Sequence, residues 1–141
     1  VLCVTLGFCH APQAIARSCA PWHALRPMGA PQRFETQLFA RDLDPKRPKL
    51  LETPWGTMAL YLIEGEVLCA AAFCPHLEGP LFEGTLSGAT ITCPWHQWRY
   101  DLRSGQRIAL MGVPLPGDKL ARCRVERDAR GAIVLCAPEA T

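Results

Sequence analysis

Charge is scarce in this sequence and does not gather in one sign. Only 20% of the 141 residues are charged. The formal +2 comes from Arg17 and Arg26, because from residue 33 onward Lys/Arg and Asp/Glu cancel at 13 each. A neutral body with scattered charges lacks the basic footprint of a nucleic-acid partner. Long hydrophobic runs are missing as well. The longest, Val1–Cys9 and Val67–Cys74, fall far short of the roughly 18 apolar residues that span a bilayer, so no membrane partner is expected. There is no dinucleotide fingerprint, phosphate loop or nucleophile elbow. No capped amphipathic run of helical length occurs, nor any internal repeat. Histidine is limited to four residues. Two of them, His10 and His23, lie in an odd N-terminal stretch, which leaves too few for a separate mononuclear iron site of two histidines and a carboxylate.

What remains reads as one all-β domain. Hydrophobic residues make up 49%, punctuated by 13 prolines and 11 glycines. Strand-like runs occur at 34–39, 49–53, 57–63, 66–72, 90–93, 99–102, 121–126 and 132–136. They are separated by turn signals at Glu64-Gly65, Ser104-Gly105 and Asp128–Gly131. Short strands at this spacing suit a sandwich or small barrel. Residues 1–32 differ: they form an irregular N-terminal extension ahead of a domain at 33–137, and 138–141 form a C-terminal tail. Ala14-Ile15-Ala16 imitates a signal-cleavage site, but there is no basic n-region, and His10, Pro12 and Gln13 interrupt the apolar core. Met28 is an alternative start, so residues 1–27 need not belong to the natural protein.

Eight cysteines are many for this length. Their spacings show no compact repeat, and Cys69, Cys123 and Cys136 sit in strand-like runs where cysteine acts as a small hydrophobe. Free thiols in a reducing cytoplasm are therefore expected rather than a disulfide framework.

Two loops carry the chemistry. The first reads Cys74-Pro75-His76-Leu77-Glu78-Gly79 and the second Cys93-Pro94-Trp95-His96-Gln97-Trp98. Each supplies one thiolate and one imidazole. Such a set serves either tetrahedral zinc or a [2Fe–2S] cluster. Count alone does not separate them, although a mixed pair in each loop suits a two-metal unit clamped from both sides.

These loops resemble the Rieske motif. The surrounding sequence, from Phe34 to Cys136, is similar to Rieske ferredoxins and the Rieske domains of oxygenases. The resemblance includes Gly84 between the loops, Trp95-His96, Tyr100-Asp101-Leu102 and Ser104-Gly105. It implies the Rieske fold: small stacked antiparallel sheets with a two-loop cluster-binding subdomain. It implies that Cys74 and Cys93 bind the inner iron, and His76 and His96 the outer iron near solvent. Trp95 and Trp98 are expected to shield the site, fill the core or meet a partner. Tyr100 matches the position of a hydroxyl donor to the cluster. Pro114 lies in a segment, Met111–Gly117, that resembles a proline-rich loop covering the cluster and equally reads as an ordinary connection. The extra cysteine pair of cytochrome bc-type members is absent, since Gly79 and Trp95 stand there.

Histidine ligation leaves the oxidised cluster formally neutral, where four thiolates would start two charges lower. That is why it raises the potential, to about −150 to +300 mV against about −400 mV for plant-type ferredoxins. With fewer hydrogen bonds to the sulfurs than the high-potential class, the lower part of this range is expected. The potential is expected to fall as pH rises through the oxidised-state imidazole pKa values. The function implied is a one-electron carrier, a non-enzyme component passing electrons from a flavin-dependent reductase to a terminal oxygenase or other redox enzyme. Alternatives are the small subunit of an assimilatory nitrite reductase, a zinc-binding interaction module, or a redox sensor using the same cluster. Between Glu64 and Asp101 five carboxylates face one arginine. That excess reads as an acidic docking patch or, more simply, as solvated edges and turns.

Overall fold

The computed structural model of the protein describes residues 32–138. The expectations for residues 1–31, including the cleavage-like site, Met28, His10 and His23, and for 139–141 fall outside the described residues.

Ten strands form two antiparallel sheets. The larger has the order β1-β10-β9-β4-β3-β2. Its strands are β1 (Arg33–Glu35), β2 (Lys49–Thr53), β3 (Gly56–Ile63), β4 (Glu66–Ala71), β9 (Arg122–Arg127) and β10 (Ile133–Cys136). The smaller has the order β5-β6-β7-β8, built from Thr85–Ser87, Thr90–Thr92, Arg99–Asp101 and Arg107–Ile108. This is the stacked-sheet arrangement expected from the sequence, and the smaller sheet carries one of the two loops.

Strand β3 explains how the sheets share a core. Side chains alternate along a strand, and β3 is apolar on both faces. Ala59, Tyr61 and Ile63 pack into one cluster with Cys74, Leu81, Ile91, Cys93, Tyr100, Leu102 and Leu120. Met58 and Leu60 pack into a second with Leu43, Val67, Cys69, Cys123, Ile133 and Leu135. Burying side chains of this size contributes about 1.5–3 kcal/mol each. The Glu64-Gly65 turn between β3 and β4 has both residues at positive φ, 52° and 83°. That geometry matches the twist of a tight hairpin.

The expected strand at 34–39 is shorter than its composition suggests. It ends at Glu35, and Gln37 takes a left-handed backbone at φ 61°. The Thr36 N–H and hydroxyl both donate to the Ile133 carbonyl, at 3.2 and 2.8 Å, and the Ile133 N–H reaches past Gln37 to the Leu38 carbonyl at 2.7 Å, so the pairing continues irregularly around the left-handed residue. Strands β5 and β8, of three and two residues, are too short to announce themselves by pattern. The described cysteines, Cys69, Cys74, Cys93, Cys123 and Cys136, are free thiols.

Candidate functional site

Strand β4 leads into Cys74 and β6 into Cys93, so the two loops leave adjacent layers. They close on one backbone plan. The Cys74 N–H donates to the Gly79 carbonyl and the Glu78 N–H to the Cys74 carbonyl, both at 2.8 Å. The Cys93 N–H donates to the Trp98 carbonyl at 2.7 Å and the Gln97 N–H to the Cys93 carbonyl at 3.0 Å. In each loop the fourth residue after the cysteine is left-handed: Glu78 at φ 55° and Gln97 at φ 57°. A side chain there carries about 1–2 kcal/mol of strain.

The loops bring all four expected residues together. The rings of His76 and His96 meet edge to face with centroids 5.0 Å apart. Cys74 and Cys93 are buried, whereas His76 is half-buried and His96 exposed. The arrangement is an inner pair of sulfurs and an outer pair of imidazoles. Burial pushes the Cys74 thiol pKa up. A hydrogen bond with the Tyr100 hydroxyl opposes this, and the neighbouring Cys93 adds to it. The Tyr100 oxygen lies 3.5 Å from Cys74 Sγ, and burial raises the phenol pKa as well.

Two observations fit a metal-sulfur group at this place. The buried Nδ1 of His76 has no hydrogen-bond partner, an arrangement that proteins avoid unless another group satisfies the atom. Gly79 leaves a cradle: a Cβ there would come within 2.9 Å of Cys93 Sγ and 3.3 Å of the Trp95 ring.

The aromatic residues divide their roles. Trp98 is half-buried and stacks on His76, with centroids 3.8 Å apart and planes 15° from parallel. Trp95 is 60% exposed and leans across to Gly79 of the other loop. Pro114 is exposed and bridges to Ile108. It lies in a hairpin arm closed by Ala109 N–H to Val113 O and Leu115 N–H to Arg107 O, each 2.8 Å. Arg99 Nη1 donates to the Leu110 carbonyl at 2.8 Å and ties down the tip of this arm.

Beyond Trp95 and the Met111–Gly117 segment, the sequence does not single out Leu77 or Leu110 as exposed apolar side chains. Leu77, Trp95, Leu110, Met111 and Val113 are all exposed. They come from both loops and the arm, which only the fold places in sequence-distant proximity to β7 and β8. The acidic excess also changes character. Glu64 and Glu66 both pair with Arg103, at 3.5 and 3.1 Å. Asp101 accepts from the Ser104 hydroxyl at 2.6 Å. The Glu64-Gly65 turn lies at the end of β4 opposite Cys74, so these carboxylates belong to turns remote from the loops.

The chain matches the family described as "Rieske [2Fe-2S] domain" over residues 35–115. It is 37% identical over 51 residues to the ferredoxin component of the naphthalene 1,2-dioxygenase system of Pseudomonas putida. That match covers 36% of this chain and 49% of the relative. It is 31% identical over 70 residues to apoptosis-inducing factor 3 of Mus musculus, covering 50% of this chain and 12% of that protein. The chain thus spans half or less of the length of these curated relatives. Among solved structures, the ferredoxin of carbazole 1,9a-dioxygenase from Nocardioides aromaticivorans IC177 aligns with a TM-score of 0.61. The identity is 23%, and the alignment covers 77% of this chain and 100% of the other.

Proposed function

This chain belongs to the Rieske [2Fe-2S] family, and from that premise we propose that it is a one-electron carrier delivering electrons to a terminal oxygenase. The observation that carries the reading is the layered ligand set: two buried sulfurs beneath two outer imidazoles, with His76 Nδ1 unpartnered. In this reading Cys74 and Cys93 hold the inner iron and His76 and His96 the outer one. The bound [2Fe–2S] cluster supplies a one-electron couple whose potential histidine ligation sets above that of all-thiolate clusters.

The chain's own residues do the rest. The paired backbone hydrogen bonds of each loop fix the cysteines before any partner arrives. Gly79 keeps the space between the loops open. The Tyr100 hydroxyl bonds the Cys74 sulfur and disperses its negative charge. The exposed rim of Leu77, Trp95, Met111 and Val113 is the kind of apolar patch that becomes dry when a partner covers it. In this reading the outer imidazoles, of which His96 is exposed, face the partner to which an electron crosses.

The oxygenase acceptor is supported by the naphthalene relative, which is itself a component of a dioxygenase system. A flavin-dependent reductase is the matching donor, and the free thiols suit a cytoplasmic setting. Anaerobic reconstitution with iron and sulfide tests this. The product is expected to be red-brown and to show a rhombic paramagnetic signal after dithionite. His76→Ala and Cys93→Ser are expected to abolish both. A colourless product, or unchanged colour in either variant, sinks the proposal.

A further inference from the structure

Trp98 carries a cation on the face away from His76. The Arg107 guanidinium carbon sits 3.4 Å from the Trp98 ring centroid, and the His76 imidazole stacks 3.8 Å from it. Two groups this close to one indole cannot share a face, so Arg107, Trp98 and His76 form a three-layer stack. The guanidinium then lies roughly 7 Å from the His76 ring, by addition of the two stacking distances. The fold holds it there. Arg107 is paired with Tyr100 in the β7–β8 register, and its carbonyl accepts the Leu115 N–H at 2.8 Å. Among the described residues Arg107 forms no ion pair with a carboxylate. Asp118 is the carboxylate whose charge acts with that of Arg107 on Tyr100, but it does not pair with the guanidinium, and stacking on an aromatic face is a favourable position for a cation.

We propose that Arg107 is a positioning residue that, through Trp98, fixes the His76 ring and raises the reduction potential of the iron it holds. The inference rests on the carrier reading above. An added electron makes the site more negative, so a fixed cation stabilises the reduced form. At this separation and in a part-buried path, Coulomb attraction is worth on the order of a tenfold change in the reduction equilibrium, which is about 59 mV for one electron. Direct loss of the stack would also let the imidazole turn, a change visible in the spectrum of the reduced site.

The test is a redox titration of the reconstituted protein and of Arg107→Gln, Arg107→Lys and Arg99→Gln. Arg99 lies close by in sequence, but its guanidinium is engaged at the Leu110 carbonyl. Arg107→Gln is expected to lower the reduction equilibrium about tenfold. Arg107→Lys keeps the charge and is expected to recover most of that loss while still altering the rhombic signal. Arg99→Gln is expected to shift it by less than half as much on the logarithmic scale. An unchanged potential in Arg107→Gln overturns the proposal while leaving the carrier function standing. So does a loss in Arg107→Lys as large as in Arg107→Gln, or an equal loss in Arg99→Gln. Should Arg107→Gln fail to retain iron, the comparison of Arg107→Lys with the parent decides, and a tenfold drop there overturns it. If the parent itself forms no paramagnetic site, both readings fall together.

Discussion

Tyr100 shows how one oxygen atom sets a property of the whole site. It is fully buried, directly opposite Ile91 in the small sheet, and its hydroxyl reaches Cys74 Sγ. Removing that oxygen in Tyr100→Phe leaves packing intact but withdraws a donor from a sulfur that carries negative charge. The expected result is a lower midpoint potential, by on the order of a tenfold shift in the reduction equilibrium, about 59 mV, with an unchanged thermal midpoint. Spectroelectrochemical titration of the reconstituted protein checks it. No downward shift would mean that the hydroxyl does not act on the cluster. The four loop residues stand out in the sequence because metal-sulfur chemistry demands particular atoms at short spacings, whereas Tyr100 is marked only by the resemblance to the Rieske family. Arg107 was not legible. Its place over Trp98 depends on the two-residue strand β8, and no local pattern announces a strand that short.

At the scale of the elements, the two loops repeat one design with an uneven composition. Gln97 holds a left-handed backbone at a cost of about 1–2 kcal/mol, and its side chain reaches only a long contact to the Pro94 carbonyl at 3.4 Å. Gln97→Gly relieves the strain but adds freedom to the unfolded chain, which offsets about 0.5–1 kcal/mol. The expected net gain is about 0.5–1 kcal/mol, read as a higher denaturation midpoint by urea titration. A loss would show that the side chain contributes more than the backbone strains.

The turn after β7 behaves differently, because a carboxylate organises it. Burial would raise the Asp101 pKa. The Ser104 hydroxyl and the Arg103 and Ser104 N–H groups outweigh that, aided by the Arg103 charge, and hold it below the ordinary carboxylate value. A depressed pKa contributes stability that is present above the unfolded value of about 3.9 and disappears as pH falls through the folded value. Asp101→Ala is therefore expected to lose about 0.5–1 kcal/mol at neutral pH, the low end because solvent screens the site. Parent and variant should converge near pH 3 and below, as urea unfolding at both pH values would reveal. The long strands β2, β3, β4 and β9 were readable from alternation and turn residues. The strand at Phe34 is shorter than its composition suggests, since the left-handed backbone of Gln37 interrupts the regular ladder, an angle that composition does not encode.

For the whole molecule, the distribution of charge decides how a partner meets it. Of the five carboxylates that made the sequence look acidic around the site, Glu64 and Glu66 pair with Arg103 and Asp101 is held by Ser104, while Glu78 stands in the first loop. The loop end also presents Leu77, Trp95, Met111 and Val113. Electron transfer to an oxygenase acceptor is thus expected to change only about two- to threefold between low and physiological ionic strength. Met111→Ser is expected to slow it at every salt concentration, as stopped-flow mixing would measure. A fall of ten-fold or more with salt would restore an acidic docking surface. The division into two apolar clusters has its own outcome. The cluster around Leu60, Cys69, Ile133 and Leu135 contains none of the four proposed ligands, whereas Cys74 and Cys93 belong to the other. Chelation should then loosen amides at 74–79 and 93–98 while those of β3, β9 and β10 keep their hydrogen–deuterium protection, unlike zinc fingers, which unfold outright. An iron-starved chain would then persist as a half-ordered vessel that can be refilled.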